Sequence, residues 1–216
     1  MVCFMKINKI HRLSNTTKIT SNCNYLSAHD GNLLSALRLV DDIIKDYSHF
    51  ASLSVHVCPV IKTSGNKIPL ALAMRIVQNS KSVLCDTIFL SNDRPGTKMI
   101  DRMFYQPEFY GTVMPGKYIL VDDVFTTGIT LKSLKTFIEN NAGQVSAAYT
   151  MGSSKSTLFE LSTLQLKILS CRFPDLSNYF DPTELTIVQM EYLLKFSSLQ
   201  NLNSRYSENH FNRQFC

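Results

Sequence analysis

Two adjacent carboxylates followed by a hydroxyl-rich turn are the residues of this 216-residue chain best suited to chemistry. Asp122 and Asp123 follow the apolar run Tyr118, Ile119, Leu120 and Val121; after Val124 and Phe125 come Thr126, Thr127, Gly128, Ile129 and Thr130. A short, nearly continuous apolar run is the pattern of a central parallel strand, covered on both faces. Ligands of open α/β sheets sit outside the carboxyl ends of such strands, so the spacing predicts the acid pair at a ligand site. The turn offers Thr hydroxyls, a glycine free to take positive φ, and unpaired N–H groups at the start of the next helix. That set is an anion site, most naturally for the phosphate of a sugar phosphate. A plain Asp-rich turn with a Thr-capped helix uses the same residue types but gives no reason to place like charges side by side.

An apolar run, two acidic residues, an apolar residue, any residue, Thr-Thr-Gly, any residue and Thr is a pattern that resembles, position by position, the signature of the type I phosphoribosyltransferases. The resemblance implies that Thr126, Thr127, Gly128, Ile129 and Thr130 cradle the 5′-phosphate of 5-phosphoribosyl-1-pyrophosphate (PRPP). It implies that Asp122 and Asp123 take the ribose 2′- and 3′-hydroxyls. A loop after the first core strand supplies N–H groups to the pyrophosphate in that family, and Lys62, Thr63, Ser64, Gly65, Asn66 and Lys67 occupy that place. A surface turn is the competing reading of those six residues. Family members also close a mobile loop over the substrate. The segment 92–102 lies where that loop belongs, with Arg94, Lys98 and Arg102 as its candidate cations, and a solvated connector is the alternative. Asp122, Asp123, Arg94, Lys98 and Arg102 are therefore the candidate catalytic residues. Mg²⁺ is the implied cofactor, held mainly through PRPP oxygens and water, with no protein metal ligand assigned.

One departure narrows the acceptor. The 6-oxopurine branch carries an Asp general base where this chain has Thr126, and Thr cannot do that work at neutral pH. The motif looks more like the orotate, adenine and competence-associated branches. The implied activity is a Mg-dependent pentosyl transfer from PRPP to a nucleobase or similar acceptor, a step of nucleotide metabolism. The competing function is a non-catalytic PRPP-binding regulator, or a DNA-uptake or mobile-element accessory protein, because the flanking segments resemble those of poorly characterised bacterial phosphoribosyltransferase-like proteins. PRPP synthetase would need two tandem domains of this kind, which this length does not hold.

Composition sets outer limits. Lys and Arg number 22 against 17 Asp and Glu, for a formal charge of +5. That excess suits phosphate-rich small ligands and is too dispersed to argue for nucleic acid. Cys3, Cys23, Cys58, Cys85, Cys171 and Cys216 show no metal-ligand spacing and read as reduced thiols of a cytoplasmic protein. Lys6 and Lys9 interrupt the apolar start, so neither a signal peptide nor a membrane span is expected. The partners implied are PRPP and an unidentified acceptor, with a homodimer left open and no membrane partner. Cys58 adjoins the pyrophosphate turn but reads as a buried structural thiol. His29 and Asp30 read as an exposed turn, since sequence neighbours usually point apart.

The elements that must position these groups form an α/β core, a mainly parallel twisted sheet flanked by helices, over residues 31–155. An amphipathic helix is expected from Leu33 to Tyr47, then a strand from Ser54 to Ile61 and a helix through Leu70 and Val77. Further strands are expected at Thr87 to Leu90, Tyr118 to Val121 and Gln144 to Met151. The helix after the phosphate turn should bury Leu131, Leu134 and Ile138, with Gly143 closing it. Residues 1–30 read as an irregular N-terminal arm or short hairpin around Asn24, Tyr25 and Leu26. Residues 156–216 read as accessory helices and a tail, one helix announced by Thr186 and Gln189 at capping-box spacing.

Overall fold

The computed structural model describes residues 10–62, 65–91, 105–153, 161–178, 180–182 and 185–201. Its sheet is formed by β1 (Ile10–Arg12), β2 (His56–Pro59), β3 (Val83–Leu84), β6 (Gly116–Phe125) and β7 (Gly143–Ser153). The order is β1-β7-β6-β2-β3, and every pairing is parallel. The acidic strand β6 is therefore central, as its apolar run requires.

Helices cover both faces. On one lie α1 (Thr16–Thr20), α2 (Tyr25–His29), α3 (Leu33–Ile43) and α4 (Ile68–Gln78). They bury Leu39, Val40, Leu72 and Ile76 against Val57, Ile119, Val121 and Met151. Asn32 caps α3 by accepting from the Ser35 N–H at 2.9 Å. Arg75 grips Asp41 through Nε at 2.7 Å and Nη2 at 2.5 Å, a bidentate pair that ties α4 to α3. On the other face α5 (Ile129–Asn140) packs Leu131, Leu134 and Ile138 against Tyr118, Leu120, Val145 and Ala148.

Three local readings of the sequence are corrected. Instead of an irregular stretch or hairpin around Asn24, the chain from Ile10 supplies an edge strand and two short helices, because Ile19 and Ala28 find buried places in the core. The segment around Ile88 does not join the parallel sheet. Val83–Leu84 takes the position beside β2, while β4 (Ile88–Leu90) pairs antiparallel with β5 (Phe109–Gly111) in a separate two-stranded unit. Gly143 does not close α5: Ala142 takes the left-handed conformation at φ +66°. Glycine is needed at 143 for space, since a Cβ there would stand 2.4 Å from Ile138 Cγ2.

The C-terminal layer contains α6 (Thr163–Arg172) and α7 (Ile187–Leu193) around their own apolar cluster of Leu169, Phe173, Leu176 and Leu193. Thr186 and Gln189 form the expected capping box. The layer docks on the core through Val188, and the buried Lys132 of α5 donates to the Leu185 carbonyl at 3.4 Å. No helix among the described residues is long and apolar enough to cross a membrane.

Candidate functional site

β6 stays paired with β7 as far as Phe125 and Ser153, but its pairing with β2 ends at Pro59 and Val121. The strand thus carries Asp122 and Asp123 beyond its β2 neighbour, and a cleft opens at that edge. Side chains alternate along a strand, so Asp122 lies on the α5 face with Tyr118 and Leu120, and Asp123 on the α4 face with Ile119 and Val121. Asp123 Oδ2 accepts from Asn66 Nδ2 at 2.6 Å, while Asn66 Oδ1 accepts from the Ile68 N–H at 3.0 Å. One amide therefore both starts α4 and fixes the carboxylate. Val124 N–H donates to Asp123 Oδ1 at 2.6 Å.

Burial, and after it the charge of Asp123, pushes the Asp122 carboxyl well above the usual carboxylate range. The Asp123 backbone N–H, which donates to Asp122 Oδ1 at 2.9 Å, and the positive Lys62 oppose that rise without cancelling it. Two adjacent carboxyl groups present several hydrogen-bonding oxygens, a set that suits two adjacent hydroxyls.

The turn after β6 has the conformation its glycine predicts. Gly128 sits at φ +82° as the N-cap of α5, a region that side chains with a Cβ rarely enter. Phe125 is buried beneath the turn. Thr127 is only 4% exposed, and its Oγ1 accepts from the Ile129 N–H at 3.5 Å. The turn encloses a small hollow of about 20 Å³ between Asp122 and the start of α5. The positive end of α5 there favours an anion.

A cleft of about 100 Å³ joins these parts: His29, Lys62, Asn66, Asp122, Asp123, Thr126 and Thr130 all line it. The fold thus brings the acid pair, Thr126 and Thr130 of the turn after β6, and Lys62 and Asn66 of the turn before α4 to one place. Gly65, at φ +80°, and Lys67, whose N–H donates to the Ala28 carbonyl at 3.0 Å, shape the same turn. Thr63, Ser64, Arg94, Lys98 and Arg102 lie outside the described residues. Sequence reasoning missed Tyr105 and left His29 as an exposed turn residue, though both line the cleft. No local pattern marks them, because they reach it only through tertiary packing.

A second cavity, of about 300 Å³, lies between α5 and the C-terminal layer, lined by Tyr105, Gln106, Ile129, Ser133, Phe180 and Gln189 among others. Tyr105 borders both it and the acidic cleft, and Ile129 borders both it and the phosphate turn. Cys58 is fully buried, and the hydrogen bond with Cys85 pushes its thiol well above the usual range. The same bond lowers Cys85 to about 7, so Cys58 is the donor and an inert structural thiol. Among the described residues, no group of three or more His, Cys, Asp or Glu side chains is arranged to hold a metal ion.

No protein-family model matches the chain. It is 32% identical over 164 residues to Protein TraN of Escherichia coli, an alignment covering 69% of this chain and 36% of that protein. The chain thus spans little more than a third of the relative's length. Among solved structures it is similar to a purine phosphoribosyltransferase from Pyrococcus horikoshii, at 12% identity, with 68% of this chain and 88% of that one covered. The TM-score is 0.30, a superposition too loose to bear on fold or chemistry.

Proposed function

We propose that the chain binds PRPP and catalyses Mg²⁺-dependent transfer of its phosphoribosyl group to an acceptor, releasing pyrophosphate. The observation that carries this reading is the convergence, in one cleft at the end of the central strand, of the Asp122 and Asp123 carboxyls with the Gly128 turn at a helix N-terminus. The 5′-phosphate is assigned to Thr126–Thr130, the ribose hydroxyls to the acid pair, and the pyrophosphate to the turn containing Lys62, Gly65, Asn66 and Lys67. In the reaction the C1–O bond to pyrophosphate breaks and its electron pair leaves with the oxygen. A lone pair of the acceptor forms the new bond to C1, and any acceptor proton passes to solvent. Mg²⁺ would be carried by the pyrophosphate oxygens, its usual mode with phosphate substrates, and the carboxylate oxygens nearby suit a hard cation.

The acceptor is assigned to the larger cavity. Its aromatic walls at Tyr105 and Phe180, and its amides at Gln106 and Gln189, suit a flat body with a hydrogen-bonding edge. A PRPP-binding regulator without turnover is the second reading, favoured by the sequence relationship to Protein TraN, whose name states no reaction. Incubating the chain with PRPP, Mg²⁺ and a panel of nucleobases while following pyrophosphate release separates the two. Release that requires one base supports the transferase; tight PRPP binding with no release from any base supports the regulator.

A further inference from the structure

We infer that His29 is a ligand for the pyrophosphate of PRPP, an assignment that rests on the PRPP reading above and extends it to the N-terminal segment. His29 is the last residue of α2 and lines the cleft opposite the sheet end, together with Lys62, Asn66, Asp122 and Asp123. Its position is set by a backbone clasp. The Lys67 N–H donates to the Ala28 carbonyl at 3.0 Å, and a Cβ on Gly65 would stand 3.6 Å from the His29 carbonyl oxygen. From the other side, a Cβ on Gly31 would stand 3.5 Å from the Gly65 carbonyl oxygen. Both glycines have positive φ, +107° at Gly31 and +80° at Gly65, so two turns that each need glycine are fitted against one another. The clasp holds the end of α2 against the turn before α4.

The imidazole is placed to act on a ligand that enters the cleft. Its side chain is 53% exposed, its ring lies 5.9 Å from that of Tyr25 one helical turn earlier, and Nδ1 is 3.8 Å from Asp30 Oδ1. His29 and Lys62 are the two basic side chains among the cleft's described lining residues, and Lys62 already bears electrostatically on Asp122. A strongly anionic group entering beside two carboxyl groups needs donors in addition to Lys62, and His29, whose ring offers an N–H, adjoins the turn to which that group is assigned.

The test is calorimetry of the full chain with three probes, Mg²⁺-pyrophosphate, Mg²⁺-PRPP and ribose 5-phosphate, on the wild type, His29→Gln and His29→Lys. Charge-assisted hydrogen bonds to phosphate oxygens predict a loss of about five- to tenfold for pyrophosphate and PRPP in His29→Gln. His29→Lys should recover most of it, and ribose 5-phosphate should bind all three proteins alike. Unchanged pyrophosphate and PRPP affinity in His29→Gln would overturn the assignment while leaving the PRPP reading intact. An equal loss for all three probes would also overturn it, by showing that the change disturbs the clasp. A wild type that binds none of the probes would remove the PRPP reading and His29's role with it.

Discussion

The two ends of the cleft are made in opposite ways. One end, at the Gly128 turn, comes from one continuous stretch, in which the strand, the acid pair, the turn and the start of α5 follow within a few residues. The other end is assembled from α2 and the turn before α4, which meet only in the folded chain. A ligand spanning both ends would link a locally determined site to one whose geometry depends on tertiary packing. Substitutions at the first end should therefore affect binding and spare the fold, while those at the second should couple the two.

The largest effect expected is at the acid pair. Asp122→Asn with Asp123→Asn removes the carboxylate acceptors for the ribose hydroxyls and leaves a misplaced donor, so PRPP affinity should fall about a hundredfold. Circular dichroism should show an unchanged fold. Calorimetry that finds full PRPP affinity in the folded double variant would remove the ribose assignment. Next comes Gly128→Val, which places a branched side chain at φ +82° and crowds the approach of an anion to the backbone. A cost of about 1–3 kcal/mol should appear as weaker binding of PRPP and ribose 5-phosphate together. Undiminished binding of both would mark Thr126–Thr130 as a helix-capping turn and nothing more.

Asn66 sharpens the contrast, because it belongs to the assembled end yet touches the acid pair. Asn66→Asp keeps an acceptor for the Ile68 N–H but replaces the donor to Asp123 with a like charge. Asn66→Ala loses both contacts. The Asp variant should melt closer to wild type yet bind PRPP about fivefold more weakly than the Ala variant, since repulsion displaces Asp123 whereas the lost bond to the Ile68 N–H costs about 1 kcal/mol. If the Ala variant were weaker in both respects, Asn66 would be a cap whose bond to Asp123 is incidental.

This contrast also governs what could be read in the sequence. The central strand, the turn at Gly128 and the capping box at Thr186 depend on neighbours along the chain, and all three are present, though the strand does not leave the sheet at the acid pair but stays paired with β7 as far as Phe125. The parallel sheet with helices on both faces was legible for the same reason. The edge strands Ile10–Arg12 and Val83–Leu84 are too short to show periodicity, and they exist because β7 and β2 offer them partners. The β4–β5 pair is equally non-local: a Cβ on Gly111 would lie 1.9 Å from the Thr87 carbonyl oxygen, so the hairpin closes only around glycine. His29 was missed as a cleft residue because its relevance comes from Gly31 and Gly65 meeting across the fold.

The smallest effect concerns stability, and its sign separates a site built for a ligand from one built for the fold. Burial and the Asp123 charge hold the Asp122 carboxyl above its unfolded value, so the native state binds a proton more tightly than the unfolded chain. The stabilisation from that proton is fully present below the unfolded pKa, near 3.9 for Asp, and is lost as pH rises through the folded value. Asn at position 122 is neutral throughout and escapes that loss. Asp122→Asn alone should therefore melt with the wild type near pH 4 and become more stable as pH rises, by on the order of 1 kcal/mol, or about 2–4 °C for a domain of this size. The other ionisable groups are common to both proteins and cancel in the difference. A melting difference that turns in the wild type's favour as pH rises would mean that the ionised Asp122 is stabilised by its surroundings. The acid pair would then be part of the scaffold, and the ground for assigning it to ribose would be lost.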